Sequence, residues 1–354
     1  MTEIETIIGS IQPLDEQIQA KAIQRLDQLI KPKGSLGTLE KIAIQLAGIQ
    51  GTSRPKIYKK CTIVMASDNG IVEEKVASAP QVVTLSQTLS ILNGLAGINA
   101  LSKQAGADVK VVDVGIAKEI HHSSLISRKI RKGTSNMCKG PAMSYEEAQQ
   151  GIKVGMDMVK SVIEEGYNVI GTGEMGIGNT STSSAMIISF TGCSVEKAVG
   201  KGAGLTEDGY EHKKKVISQV LKVNQPNRND PIDVLSKVGG FDIAGLVGCY
   251  LGAAYYRVPI VMDGVISATA ALTAYYLNPL VKEYIIPSHD SVEPGYTLIC
   301  QIMGLQPMLH MNMRLGEGTG CPLAFHLIES ACAMINDMAT FEEVALNSDF
   351  LIEF

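Results

Sequence analysis

Apolar positions recur at helical spacing near both ends of the chain and form short unbroken runs between them. After Pro13, a residue suited to a first helical turn, Leu14, Ile18, Ala22, Leu26 and Leu29 follow at intervals of four, four, four and three. The segment KPKGSLG, Lys31 to Gly37, breaks this stripe, and Leu36, Leu39, Ile42, Leu46 and Ile49 begin a second. Leu327, Ala331, Met334 or Ile335, and Met338 form a third helical face. Each stripe needs an apolar partner. We therefore expect a small helical domain built from residues 1–50 plus 323–354, beside a large domain of residues 51–322.

Within the large domain the pattern changes to β-rich runs separated by long helical stretches. The runs are Cys61 to Ala66, Val109 to Val114, Tyr167 to Gly171, Val258 to Met262 and Glu283 to Pro287, each apolar enough for burial on both faces. Such alternation predicts an α/β domain with a mostly parallel sheet. Polar residues and glycines follow the runs: Asp68-Asn69-Gly70, Gly115, Gly171 to Gly178, Asp263-Gly264 and Ser288-His289-Asp290. These mark the carboxyl ends of the strands, where open α/β sheets bind ligands.

Composition narrows the class. Apolar residues at 45%, charged residues at 19% and 35 aperiodic glycines describe a globular chain with many turns. A net charge of −5, with no basic cluster longer than Lys213-Lys214-Lys215, gives no footprint for nucleic acid, and that cluster reads as a solvated helix face. Seven cysteines without a C-x-x-C pair read as reduced thiols, with no zinc site and no other metal expected. The longest apolar stretch, Leu246 to Leu272, contains Arg257 and Asp263 and is no simple membrane span. With Glu3 and Glu5 where a signal peptide would be basic, the expected location is cytoplasmic.

Candidate chemistry centres on GTGEMGIGNTSTSSA, Gly171 to Ala185. It reads as a strand, a glycine-rich turn and a helix start, in which Gly171, Gly173, Gly176 and Gly178 would let backbone N–H groups converge on an anion. The spacing fits neither the P-loop nor the dinucleotide fingerprint, and a plain tight turn is the alternative. In RLGEGTG, glycines on both sides leave the Glu317 carboxylate unshielded, as a general base requires; a surface turn fits the spacing equally. Asp263 is either a ribose partner or a cap for the helix beginning near Val265. His289 is a proton carrier or an ordinary loop histidine, His121 and His122 have no ligand-spaced partners, and Asp68-Asn69-Gly70 reads as a turn. No G-x-S-x-G elbow or Walker lysine supports a serine hydrolase or P-loop enzyme.

Several of these stretches together carry a resemblance. KPKGSLGTLE, SDNGIVEEKVASAPQVVT, GTSNMCKGPAM, GTGEMGIGNTSTSSA, VGGFDIAGL, VPIVMDGVISATAAL, SHDSVEPGY, RLGEGTG and MATFEEVAL, in this order from about residue 31 to residue 345, resemble the nicotinate-nucleotide:5,6-dimethylbenzimidazole phosphoribosyltransferase family. The resemblance implies a Rossmann-like α/β domain with the smaller helical domain, and a dimer whose sites border the partner subunit. It implies transfer of the phosphoribosyl group of nicotinate mononucleotide to an aromatic lower-ligand base of cobamides, with inversion, and without a cofactor. On that resemblance Glu317 is the catalytic base and Glu174 a second carboxylate facing the cationic donor. Gly176, Ile177, Gly178, Lys213, Asp263, Gly264 and Ser291 fall on the nucleotide side, with Lys213 and the backbone of Gly176 and Ile177 toward the phosphate. Gln87, Leu315 and Ala79 fall on the base side.

The chain departs from the family pattern at Asn69, Tyr296 and Ala203, and Ala79 stands where a serine is expected. These departures open the acceptor to phenolic as well as benzimidazole bases, and relatives that use phenols work as heterodimers. The alternatives to an active enzyme are a nucleotide-binding partner subunit inactive on its own and a sensor of nicotinate nucleotide.

Overall fold

The computed structural model describes residues 3–346; residues 347–354, within the expected helical domain, and residues 1–2 lie outside the described residues. A six-stranded sheet forms its centre: β1 Lys60–Ser67, β2 Ala107–Gly115, β3 Leu125–Ser127, β4 Val169–Met175, β5 Ile260–Met262 and β6 Ile285–Pro287. The strand order is β3-β2-β1-β4-β5-β6, and every pairing is parallel. The chain thus winds outward in one direction from β1 and in the other from β4. Between their carboxyl ends lies the switch point of a doubly wound, Rossmann-like sheet.

Both faces of the sheet are covered, which explains why the strand runs read as continuously apolar. Ile63 and Met65 of β1 and Ile170 of β4 belong to the core formed with helices Tyr145–Glu164, Asn179–Thr191, Phe241–Tyr255 and Val265–Leu277. Val64 and Ala66 of β1 point the other way, against Ile91 and Ile98. On that same side of β4, β5 and β6, Val169, Val261 and Ile286 meet helices Glu16–Gln28, Thr38–Gln50 and Gly320–Asp337. The three stripes found at the chain ends share this one apolar cluster through Leu26, Leu46, Phe325 and Ile335. The first helix, Glu3–Gly9, joins the opposite core through Ile4.

Several element boundaries differ from the sequence expectation. Pro13 precedes the first stripe's helix, whose cap is Asp15, with Oδ1 accepting from Ile18 N over 3.0 Å. β3 is an additional three-residue edge strand in a polar segment that showed no apolar run. The expected strand over 283–287 is a 3₁₀ turn through Tyr284 followed by three strand residues. Most consequential, β4 continues to Met175, so Gly171 and Gly173 are strand residues and the turn is Gly176-Ile177-Gly178 alone. The apolar stretch over 246–272 becomes parts of two buried helices around β5, and no helix among the described residues is long and apolar enough to cross a membrane.

Helices Tyr145–Glu164 and Phe241–Tyr255 cross at close range because each presents glycine at the crossing. A β-carbon at Gly248 would overlap the Ile152 carbonyl oxygen, and one at Gly155 would overlap that of Gly245. Backbone cannot yield as a side chain end can. We expect Gly248→Ala to lower unfolding free energy by at least about 2 kcal/mol, beyond the 1–3 kcal/mol usual for overpacking only if the helices cannot separate. Denaturant unfolding measures it, and a loss under about 0.5 kcal/mol would contradict this packing.

Candidate active site

A cavity of about 340 Å³ opens at the carboxyl ends of β4, β5 and β6. All twelve residues to which the resemblance assigns a role line it: Ala79, Gln87, Glu174, Gly176, Ile177, Gly178, Lys213, Asp263, Gly264, Ser291, Leu315 and Glu317. His289 lines it as well; His121, His122 and Asp68-Asn69-Gly70 do not.

Glu174 is the penultimate residue of β4, and RLGEGTG passes beside it, so that a β-carbon at Gly316 would lie 2.6 Å from Glu174 Oε1. The backbone N–H of Glu317 donates to the Glu174 carboxylate. Two glycines of β4 make room for this approach: a β-carbon at Gly173 would lie 2.5 Å from the Glu317 carbonyl oxygen, and one at Gly171 would lie 2.6 Å from Cys321 Cβ. These glycines serve close approach of the Glu317 backbone and the Cys321 side chain, not the anion cradle expected of them. Burial pushes the Glu174 carboxyl up to about 8, with the neighbouring Asp242 charge adding to the effect and the Asn179 amide opposing it.

Glu317 itself is buried and sits at φ +62°, a left-handed conformation that a glutamate adopts only when its surroundings enforce it. Gly316 and Gly318 on either side are also left-handed, at φ +85° and +87°. The turn therefore reverses tightly and aims the carboxylate into the cavity wall. Its Oε1 accepts from Gln87 Nε2 at 2.6 Å, and its Oε2 accepts from the Ile98 N–H at 3.1 Å, in the first turn of helix Gly97–Gln104. A carboxylate oxygen has two acceptor positions, so each oxygen retains one for a proton.

Asp263 does not cap the following helix, whose N-cap is Gly264 with no side-chain bond, and both its oxygens are engaged by backbone amides. Its Oδ2 accepts from Gly318 N at 3.1 Å and its Oδ1 from Gly320 N at 2.8 Å, so it tethers the Glu317 turn to β5. Burial raises this carboxyl, and His289, whose Nδ1 is 3.8 Å from Oδ1, pulls it back. His289 Nδ1 also meets Ser288 Oγ at 3.0 Å, and its ring stacks on Tyr296 with centroids 6.4 Å apart. Tyr296 is fully buried and does not line the cavity.

The opposite side is basic. Lys213 is 0% exposed, which corrects its reading as part of a solvated lysine face; only its neighbours Lys214 and Lys215 reach outward. Its Nζ donates to Thr180 Oγ1 at 2.9 Å and to the Gly200 carbonyl at 3.2 Å, leaving the third N–H for the cavity. Burial lowers the ammonium to about 8, against the pull of Glu293. The Ile177 amide, expected to face a phosphate, instead donates to Thr84 Oγ1 at 3.1 Å. Ile177 still lines the cavity, so the correction concerns its amide.

Residues that the sequence reading passed over include Asn179 and Thr180, which bond Glu174 and Lys213, and Asp242 beside them. Their signal was present, since they lie in the GNTSTSSA and VGGFDIAGL stretches already noted. The Ile98 amide had none. Among the described residues, no group of three or more His, Cys, Asp and Glu side chains is placed to hold a metal ion.

A buried cationic side chain and buried carboxylates line one cavity at the carboxyl ends of a parallel sheet. That defines an α/β enzyme site for a ligand carrying both an anionic and a cationic group. The chain matches a phosphoribosyltransferase family model over residues 11–346, and it belongs to that family. It is 52% identical to a nicotinate-nucleotide–dimethylbenzimidazole phosphoribosyltransferase of Clostridium acetobutylicum, over 97% of each chain. It is 49% identical to the protein of that name from Clostridium tetani, over 100% of this chain and 98% of the other. The crystal structure of CobT from Thermus thermophilus superposes with a TM-score of 0.90 at 35% identity, covering 94% of this chain and 99% of that one.

The raised Glu174 gives a stability signature. Its carboxyl is protonated in the folded protein up to about pH 8 but ionises near 4.5 once unfolded, so stability is full below pH 4.5 and falls as pH rises through 8. Glu174→Gln, which mimics the protonated form, should equal the parent near pH 4.5 and exceed it by on the order of 3 kcal/mol near pH 8.5. Urea unfolding at the two pH values checks this; a difference independent of pH would contradict it.

Proposed function

We propose that this phosphoribosyltransferase moves the phosphoribosyl group of nicotinate mononucleotide to an aromatic base, 5,6-dimethylbenzimidazole or a phenol, giving an α-riboside 5′-phosphate and nicotinate. The observation that carries this reading is the polarity of the cavity. Lys213 offers its remaining N–H to a 5′-phosphate on one side, while Glu174 and Glu317 meet on the other. In the donor, the glycosidic nitrogen belongs to a positively charged pyridinium ring. That ring leaves as a neutral aromatic nitrogen, so the leaving group needs no acid.

The incoming base must lose a proton as its nitrogen or oxygen attacks the anomeric carbon, and Glu317 is the acceptor for it. Gln87 and the Ile98 amide hold that carboxylate at a fixed angle before the substrate arrives. Glu174 lies beneath the same turn, where an ionised carboxylate would oppose the positive charge of the donor and of an oxocarbenium-like transition state. Glu317→Gln is expected to lower kcat by ~10²- to 10⁴-fold with little change in donor affinity. Turnover by product mass spectrometry and donor binding by calorimetry test this together; a variant within about threefold of the parent would remove Glu317 from the role. Donor binding without product by the parent would favour the partner-subunit reading.

The acceptor side supports a broader base range. Ala79 lines the cavity where a serine hydroxyl could hold an azole nitrogen, and a pocket without that partner discriminates less against bases lacking the nitrogen. Leu315 lines the cavity yet is 63% exposed, and Leu95, near the Gly97 that packs on Leu315, is 79% exposed. These side chains support a second subunit, a copy of this chain or a paralogue, covering the rim. In competition between 5,6-dimethylbenzimidazole and p-cresol at equal concentration, with and without a co-encoded paralogue, we expect both ribosides. Exclusive formation of the benzimidazole product in both conditions would sink the phenol reading and leave the transferase intact.

A further inference from the structure

Behind the cavity, side chains that the chemistry above leaves without a role converge on Glu174. Asn179, at the start of helix Asn179–Thr191, directs its Nδ2 at two carboxylates at once, donating to Glu174 Oε2 and, over 3.0 Å, to Asp242 Oδ2. Both amide hydrogens are therefore committed to carboxyl oxygens, and the side chain cannot turn without losing both bonds. Asp242 is anchored in its own right. It is fully buried in the first turn of helix Phe241–Tyr255, and its Oδ1 accepts from Ile243 N at 3.0 Å. The turn is shaped around it as well, since a β-carbon at Gly176 would lie 2.7 Å from Asp242 Oδ2.

Such an arrangement is costly for folding alone. Two carboxylates face one amide in a buried site, and among the described residues neither is paired with a lysine or arginine. Packing would be served better by apolar side chains of similar size. The cost has a use if the site must receive positive charge.

We propose that Asp242 is a positioning residue for the donor half of the reaction: through the Asn179 amide it holds Glu174 in place, and its negative charge beside that carboxylate sets how strongly the site attracts a cationic ring. This rests on the reading of Glu174 as the carboxylate that faces the pyridinium. The charged and polar groups around Glu174 are Asp242 and Asn179 from two helices, Asp263 at the end of β5 with His289 beside it, and the N–H of Glu317. Burial and the Asp242 charge favour the protonated form of Glu174, whereas the Asn179 amide favours the ionised one. Removing Asp242's charge and removing Asn179's amide must therefore move Glu174 in opposite directions.

Binding of nicotinate riboside, measured by calorimetry across pH 7 to 10 without acceptor, reads this above the range near 6 in which Asp242 itself ionises. The probe has no 5′-phosphate, so Lys213 contributes no phosphate contact to the curve, and its own titration is common to the parent and both variants. Affinity in the parent should rise with pH as Glu174 ionises. Asp242→Asn should move the midpoint of that rise down by at least about half a unit, and Asn179→Ala should move it up and weaken binding roughly tenfold at neutral pH. Thermal melts report folding, and if one variant fails to fold the other still carries its own signed expectation. Midpoints unmoved, or moved in the same direction, overturn the proposal, as does a parent that does not bind the probe. Intact pH-dependent binding with no transfer product would instead remove the transferase reading and leave this one standing.

Discussion

The two hydrogen bonds from Gly318 and Gly320 to the Asp263 carboxylate are the constraint on which the rest of the site depends. A buried carboxylate must be paired, and these amides are its main partners. They fix three things with one side chain: the end of β5, the reversal that places Glu317, and the start of helix Gly320–Asp337. The left-handed backbone at Glu317 is tolerable because it is held on both sides, by Asp263 after it and by Glu174 at its own N–H. Catalytic geometry and helix packing are thus two ends of the same tether.

Around that tether the cavity is asymmetric in charge. Glu174, Asp242 and Asp263 are buried near one another, with the imidazole of His289 beside the last of them, and Lys213 stands apart with only neutral hydrogen-bond partners. Each group is displaced from its ordinary proton affinity by burial, the carboxyls upward and the ammonium downward. An empty site of this kind holds its charges at a disadvantage. A zwitterionic ligand relieves both ends in one event, which couples donor binding to the ionisation of the residues that hold it.

Much of this was legible in the sequence, for identifiable reasons. Strands covered on both faces have to be apolar, and helices lying on a sheet have to be striped, so the alternation from Cys61 to Pro287 predicted the parallel sheet and the end stripes predicted mutual packing. β3 was not legible, because three residues at a polar edge leave no run to detect. Gly171 and Gly173 read as turn residues because glycine marks turns and close approaches with the same letter; only the neighbouring Glu317 carbonyl and Cys321 distinguish them. Lys213 looked like its two solvated neighbours, and its burial follows from which face of helix Glu207–Asn224 meets Thr180. Backbone donors such as the Ile98 amide carry no sequence signature at all. The candidate residues themselves came from a resemblance that spans the chain, and their gathering in one cavity is a property of the fold.

The shared cluster of helices Glu16–Gln28, Thr38–Gln50 and Gly320–Asp337 also has a consequence for how the molecule comes into being. Arg25 donates to the Ile335 carbonyl at 2.7 Å, and Leu29 bridges to Thr340, so the earliest helices of this layer are completed by residues made much later. During synthesis their apolar stripes leave the ribosome about 270 residues ahead of their partner, an interval on the order of tens of seconds at typical elongation rates. For that time Leu26, Leu46 and their neighbours lack the surface that will cover them. The Glu317 turn, at the head of the late helix, is therefore set only after that helix has been made.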